Sequence, residues 1–514
     1  MDTQRPEGPQ RPDPTPSGSS SPSVTRRVAL KGAAALAMAT GTLELVGKVA
    51  HLPDRAGAAE AGTGTGNALA TALPEIQFDI GDYIAPARSL GGVLMQLPPV
   101  NTVFLTAQLL RRPARADQAE LAHAADALEA AYPFSASGLI TFIAYGLPYF
   151  RRMPTSIVNA AIPRLRSNHS RLALEEAVPS PTDVSTANPG VRKQRFNVPV
   201  RIEANDILVT LRSDNQAIVQ DAIAWLNGSN RLNGRAVGSP AFGGLLRFTS
   251  SRAMFTGLGL PRGIAAEAGL PFTHFLHPQS PMWMGFADQH VNGAGPASIC
   301  TFAGNPSARL TTARPGDYFD DGGVQHLSHV LLDMRQFFDL DAGDVPGEDA
   351  VFTERVQYMF HSPAIDPGNA DQLTDSGGPA FLPNENRGRD YARRTAQGIG
   401  TDENEHRLGH LSTLQRSSRA TDGTPVHIRM DGPGFDTMDV PGGTREPKLQ
   451  FTAFVPTADF FATMRRSQAS LDLADEFAVP ETDNGLERFL TATRRQNFLI
   501  PPRRHRAFPL VEFL

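Results

Sequence analysis

A chain of 514 residues, 40% hydrophobic and 20% charged, is long enough for two or more core-forming units of ordinary soluble composition. The formal net charge of −5 has no basic excess, which argues against a nucleic-acid partner, because that role shows as a clustered positive footprint. One cysteine, Cys300, excludes an internal disulfide framework and any cysteine-based zinc or iron–sulfur cage, whereas 13 histidines and 29 phenylalanines leave room for an imidazole-ligated, aromatic-lined cofactor site.

Residues 1–24 are rich in Pro, Ser and Gly and bury too little apolar surface to fold alone. Thr25-Arg26-Arg27-Val28-Ala29-Leu30-Lys31 follows, then an Ala-rich apolar run to about Val49 and a small-residue site at Ala59-Glu60-Ala61. The paired arginines, the Leu and the Lys in that order resemble a twin-arginine export signal, which implies a leader over 1–61 and a periplasmic, cell-surface or extracellular protein. Glu44 and Lys48 make the run a poor spanning helix, so no stable membrane span is expected beyond the signal. Residues 62–74 read as a Gly/Thr/Ala-rich linker.

The folded part is expected to form two units, 75–295 and 296–514. In the first, Leu90–Leu110 is apolar around Pro98-Pro99, and Ala114–Tyr132 has the spacing of an amphipathic helix (Leu121, Ala124, Leu128, Ala131). Leu139–Gly146 reads as a buried strand, and Arg164–Gln194 as a polar loop. Asp206–Arg212 is a strand, Asn215–Leu226 a helix burying Ile218, Ala222 and Trp225, and Leu245–Ser250 a short strand. This alternation suggests an α+β fold of ferredoxin-like units with antiparallel sheets. In the second unit, Gly322–Asp339 is a Gly-led strand running toward a helix start and 341–405 a long polar loop. Lys448–Pro456 is an apolar strand, Asp459–Ala474 an amphipathic helix presenting Phe460, Phe461 and Met464, and Arg494–Leu514 a basic, aromatic tail.

Residues 281–293, Pro-Met-Trp-Met-Gly-Phe-Ala-Asp-Gln-His-Val-Asn-Gly, set Asp288 in a loop beside an apolar wall. A carboxylate in that setting can give and take a proton, although Asp and Asn here also suit a simple turn. Pro425-Val426-His427-Ile428-Arg429 offers an imidazole and a guanidinium, and Arg445 comes 18 residues after His427, before the strand Lys448–Pro456. Taken singly, His427 also reads as a hydrogen-bonded strand residue and Arg445 as a surface partner of Glu446 or Asp439. His406 and His410, four apart, would share a helix face and could bind a divalent metal; His326 with His329, and His274 with His277, offer weaker pairs.

Gly285, Phe286, Asp288 and Asn292 resemble the Gly-Phe-x-Asp-Gly-x-x-Asn-Pro motif of the dye-decolourising haem peroxidases, with Gln289 in place of its second Gly and Gly293 in place of its Pro. His427-Ile428-Arg429 resembles the family's proximal-histidine element, and "LQFTAFVPTADFFATMR" its closing strand and helix. The resemblance implies two ferredoxin-like units of the dimeric α/β-barrel type, with haem b held mainly by the second. It further implies His427 as axial ligand, Arg429 and Phe286 near the haem, and Asp288 and Arg445 as the catalytic acid and arginine. The alternative axial ligand is His410, with Arg429 as its distal arginine. His326, Ser328 and His329 stand where the family has an arginine near the cofactor. Hydrogen peroxide and an organic reductant are the implied partners, Trp283 a candidate electron relay, and a homo-oligomer is compatible with the family. A haem-binding or iron-releasing protein and a haem-less binding protein are the alternative readings.

Overall fold

The computed structural model describes residues 42–49, 72–90, 93–178, 193, 195–276, 280–284, 296–304, 310–338, 340, 426–469 and 487–514. Its first unit is built from β1 (Asn101–Leu109), α2 (Arg115–Ala131), β2 (Ile140–Gly146), β3 (Ile207–Ser213), α3 (Gln216–Leu226) and β4 (Leu246–Phe255), preceded in the chain by α1 (42–49) and followed by α4 (Leu260–Glu267). The strand order is β4-β1-β3-β2, all antiparallel, with both helices on one face: a ferredoxin-like β-α-β-β-α-β unit.

Local chemistry explains these elements. Along β1 every second residue, Val103, Leu105, Ala107 and Leu109, joins the helix-covered core, while Phe104 joins the opposite one, which is the two-residue period of a strand buried on both faces. The Asp117 carboxylate accepts from the backbone N–H of Ala114 and satisfies a donor at the start of α2; the Asn215 side chain accepts from Ala217 N–H at the start of α3. Leu121, Ala124, Ala125 and Leu128 are the buried stripe of α2.

The second unit repeats the pattern. β5 (Gly323–Leu332) leads to the short α5 (Met334–Phe337), and β6 (Ile428–Arg429) and β7 (Gly432–Asp436) both pair with β8 (Glu446–Val455). Next come α6 (Asp459–Ala469) and β9 (Leu490–Ile500), and β5 lies between β8 and β9. The α+β class with antiparallel ferredoxin-like sheets is therefore what the chain forms.

Both units share one ten-stranded sheet that closes on itself. At one junction β9 pairs with β2 through Phe498↔Gly146 and Leu499↔Tyr145. At the other, β7 lies against β4: a Cβ on Gly432 would stand 2.9 Å from the Phe255 carbonyl and one on Gly434 3.1 Å from that of Ala253, so the seam needs residues without side chains. Inside the closed sheet Phe104, Phe142, Leu208, Met254, Leu327, Phe454 and Phe498 form a core contributed by both units.

Two expectations are corrected by packing. The strand expected over Leu245–Ser250 runs on to Phe255, because Arg252 and Met254 continue the row that faces the interior. The basic tail, placed with the second unit in the sequence, folds back on the first: Tyr145 Oη donates to the Arg506 carbonyl and Tyr149 Oη to that of Pro509, both at 2.7 Å. Arg503 and Arg506 pair with Glu129 of α2. The leader and the loop 341–405 lie outside the described residues, apart from α1.

Candidate functional site

The outer face of the second sheet, beneath α6, gathers the groups that could hold a cofactor. The register puts His326 of β5 beside Ala453 of β8 on one side and Asn497 of β9 on the other, and Ser328 between Phe451 and Arg495. Arg429 of β6 pairs with Ala453 and so shares this face, as does His427 two residues earlier in the chain. From above, α6 presents Phe460, Phe461 and Met464, all buried. Phe461 stacks on His326, the Arg495 guanidinium stands 5.2 Å from the centre of the Phe461 ring, and Phe460 lies parallel to His427 with ring centres 5.7 Å apart. His427 and Arg495 are only 3% and 1% exposed, and Arg429 is 9% exposed.

Only part of the expected constellation converges here. His427 and Arg429 are on this face. Asp288 and Phe286 fall in 285–295, and His406 and His410 in 341–425, all outside the described residues. Arg445 is not at the site: it is exposed in the turn that starts β8. The partner of Arg429 is Ala453, eight residues further along, which at the strand rise is roughly 26 Å away. An 18-residue spacing therefore does not bring Arg445 to His427, because Arg445 lies in the turn between β7 and β8 and β8 only then returns to the site. Trp283, expected as a surface relay, is 1% exposed and donates from Nε1 to the Gly434 carbonyl at the seam.

The His326–His329 metal pair is also corrected. Three residues apart on one strand, the two rings point to opposite faces. His326 uses both ring nitrogens, Nδ1 with Asn497 Oδ1 at 2.6 Å and Nε2 with Ser328 Oγ at 2.5 Å. Among the described residues no group of three or more His, Cys, Asp or Glu is placed to hold a metal ion. Sequence reading missed Arg495, which was taken as part of a tail; five polar residues in a row, Thr493 to Asn497, hide the strand Leu490–Ile500 that carries it.

The inner face carries a second polar cluster. His329 Nδ1 bonds Thr493 Oγ1 at 2.8 Å, and its Nε2 is 3.8 Å from Asp436. Lys448 Nζ donates to the Met438 carbonyl at 2.8 Å and stands 3.7 Å from Asp436. Arg494 pairs with Asp439 and Glu203, and Glu203 with Arg252. Burial holds the His329 ring below the ordinary imidazole range against the pull of Asp436, and lowers the Lys448 ammonium to about 8. Burial alone would raise Asp436 and Asp439. The neighbouring His329 ring and the Lys448 charge outweigh it at the first, and the Arg494 hydrogen bond and charge at the second, so both carboxyls lie below the usual range.

All four shifts have the same sign for stability. The unfolded chain binds protons that the folded chain refuses, so stability falls as pH drops from the ordinary imidazole value of 6.5 through the carboxylate range. Urea unfolding from pH 7 to pH 4 is expected to show a falling midpoint, and His329→Gln is expected to flatten the segment just below pH 6.5. An unchanged slope in that variant would remove His329 from the account.

Among solved structures, the chain is similar to the encapsulated DyP-type peroxidase of Mycobacterium smegmatis, with 14% identity and a TM-score of 0.40 over 81% of this chain and 94% of that one. It is likewise similar to a DypB variant of Rhodococcus jostii in complex with haem, with 11% identity and a TM-score of 0.42 over 80% and 96%. A DyP-type peroxidase protein of Shewanella oneidensis gives 13% identity and a TM-score of 0.38 over 79% and 93%. No curated protein matches. A family model covering residues 173–502, more than half of the chain, does match, and the protein belongs to the family of unknown function DUF7405.

Proposed function

We propose that this protein is an exported haem peroxidase-like oxidoreductase that uses hydrogen peroxide to oxidise an organic donor, with haem b held against the outer face of the second unit. The observation that carries the reading is the burial of Arg429 and Arg495 with His427 against Phe451, Phe460 and Phe461. Those residues fit haem: aromatic side chains suit a flat macrocycle and buried guanidinium groups suit its carboxylates, while the imidazole for its iron would come from His410. The motif order supports it, since Asp288, an arginine-bearing strand and the closing "LQFTAFVPTADFFATMR" follow in the sequence the superfamily resemblance requires.

Arg429 would take the role first given to Arg445, and His410, 19 residues before it, would hold the haem iron in place of His427. When bound, haem supplies the redox centre through which peroxide is reduced at the expense of the donor. The residues do the rest. Arg429, permanently charged, holds the peroxide and stabilises negative charge on its outer oxygen. Asp288 moves a proton from one peroxide oxygen to the other, making water the leaving group. Arg495 would bind a haem carboxylate, and Phe460 and Phe461 exclude water from the face.

The test is oxidation of an anthraquinone dye by peroxide with the haem-loaded protein. Turnover well above that of free haem is expected; turnover equal to free haem would contradict the reading. Gln289 in place of the motif glycine and the His326–Ser328 pair in place of a basic residue favour a second reading, haem binding or iron release without efficient peroxidation, which the same assay separates.

A further inference from the structure

Helix α1 occupies residues whose composition reads as the apolar core of an export leader, yet it is built into the fold. Leu43, Val46 and Val49, at helical spacing, are each 1% exposed, while Glu44 and Lys48, one turn apart, face solvent. The helix is thus amphipathic, and the two charges that make it a poor membrane span are on the side where a docked helix would carry them.

What α1 covers is the seam where the sheet closes. Val46 and Val49 pack in one cluster with Phe255, Leu260, Ile264, Trp283, Met284 and Phe435. Trp283 stands at the centre of this group, its ring 6.0 Å from that of Phe255 on β4 and 6.1 Å from that of Phe435 on β7. Thr42 Oγ1 donates to the Phe435 carbonyl at 2.8 Å, tying the start of the helix to the second unit. Leu43 joins the helix-covered core of the first unit, and Gly47 lies against the Gln216 side chain at the start of α3. Eight residues therefore touch both units across a junction that Gly432 and Gly434 hold together without side chains.

We propose that residues 42–49 are a permanent seal over this seam, retained in the working protein, and that the leader is not discarded at Ala59-Glu60-Ala61. Cleavage there would remove α1 and open a contiguous apolar surface around Trp283 on an otherwise finished fold, the kind of patch that soluble chains keep covered. The inference is independent of the haem reading, since α1 lies over β4 and β7 and not under α6.

Three measurements on the full chain test it. Amide hydrogen exchange of residues 42–49 is expected to be slowed with the rest of the core; exchange at the rate of an open chain would overturn the proposal. Val46→Asp is expected to lower the melting midpoint by roughly 5 °C or more and to increase binding of an apolar dye, while Glu44→Gln leaves both unchanged. Should Val46→Asp fail to fold, Val46→Ala gives the graded form of the same loss. A melting midpoint equal to the parent's in the Val46 variants would overturn it. So would a protein recovered from an exporting host that begins after Ala61 and melts like the full chain.

Discussion

Replacing Arg429 by alanine is expected to lower peroxide-driven dye oxidation by about 10²–10³-fold, the usual cost of removing one preorganised donor to developing negative charge. Replacing Arg445 is expected to leave it unchanged. Arg429 is buried in the short strand β6 and shares a sheet face with Arg495 and the aromatic side chains of α6, whereas Arg445 is exposed at the far end of β8. Rates per bound haem, with haem content read from absorption, separate a lost catalytic charge from a lost cofactor. A full loss in Arg445→Ala with Arg429→Ala unaffected would restore the assignment made from spacing.

Glu203→Ala is expected to destabilise the protein by ~3–5 kcal/mol, the cost of stripping one partner from a buried ion pair. Glu203 follows the two-residue strand Arg201–Ile202, which runs parallel to β9, and its backbone N–H donates to the Arg495 carbonyl at 2.9 Å. Its carboxylate meets Arg252 of the first unit and Arg494 of the second. Arg494 keeps Asp439 when Glu203 is gone, but Arg252, whose side chain is fully buried, loses the one carboxylate it pairs with among the described residues. The double variant Glu203→Ala/Arg252→Leu is therefore expected to recover much of the loss in urea unfolding. A single-variant loss near zero would mean the pair contributes nothing to holding the units together.

Elements whose pattern is local were legible from the sequence. The helix over Arg115–Ala131 announces itself by Leu121, Ala124 and Leu128, the strand over Ile207–Ser213 by its apolar run, and the start of α3 by Asn215. What depended on closure of the sheet was not legible. β4 looks short because Arg252 reads as a polar interruption, and only its pairing with buried Glu203 across the closed interior shows why it belongs in the strand. Leu490–Ile500 carries two arginines and reads as tail, yet one faces the interior network and the other lies under Phe461. At the site, counting from His427 to Arg445 ends in the turn between β7 and β8, whereas the residue that returns beside Arg429 is Ala453. The same register shows that Arg429 belongs to the site, information that residue spacing alone does not hold. Glu44 and Lys48 were read as what makes the run a poor spanning helix; on α1 they are its solvent face.

The most direct measurement is the absorption spectrum of the full chain produced with haem supplied, beside those of His410→Ala and His427→Ala. A Soret band in the parent that survives His427→Ala and is lost or shifted in His410→Ala is the predicted result, identifying His410 as the residue that would hold the haem iron. Absence of a Soret band in the parent would contradict the central claim that the second unit is a haem site.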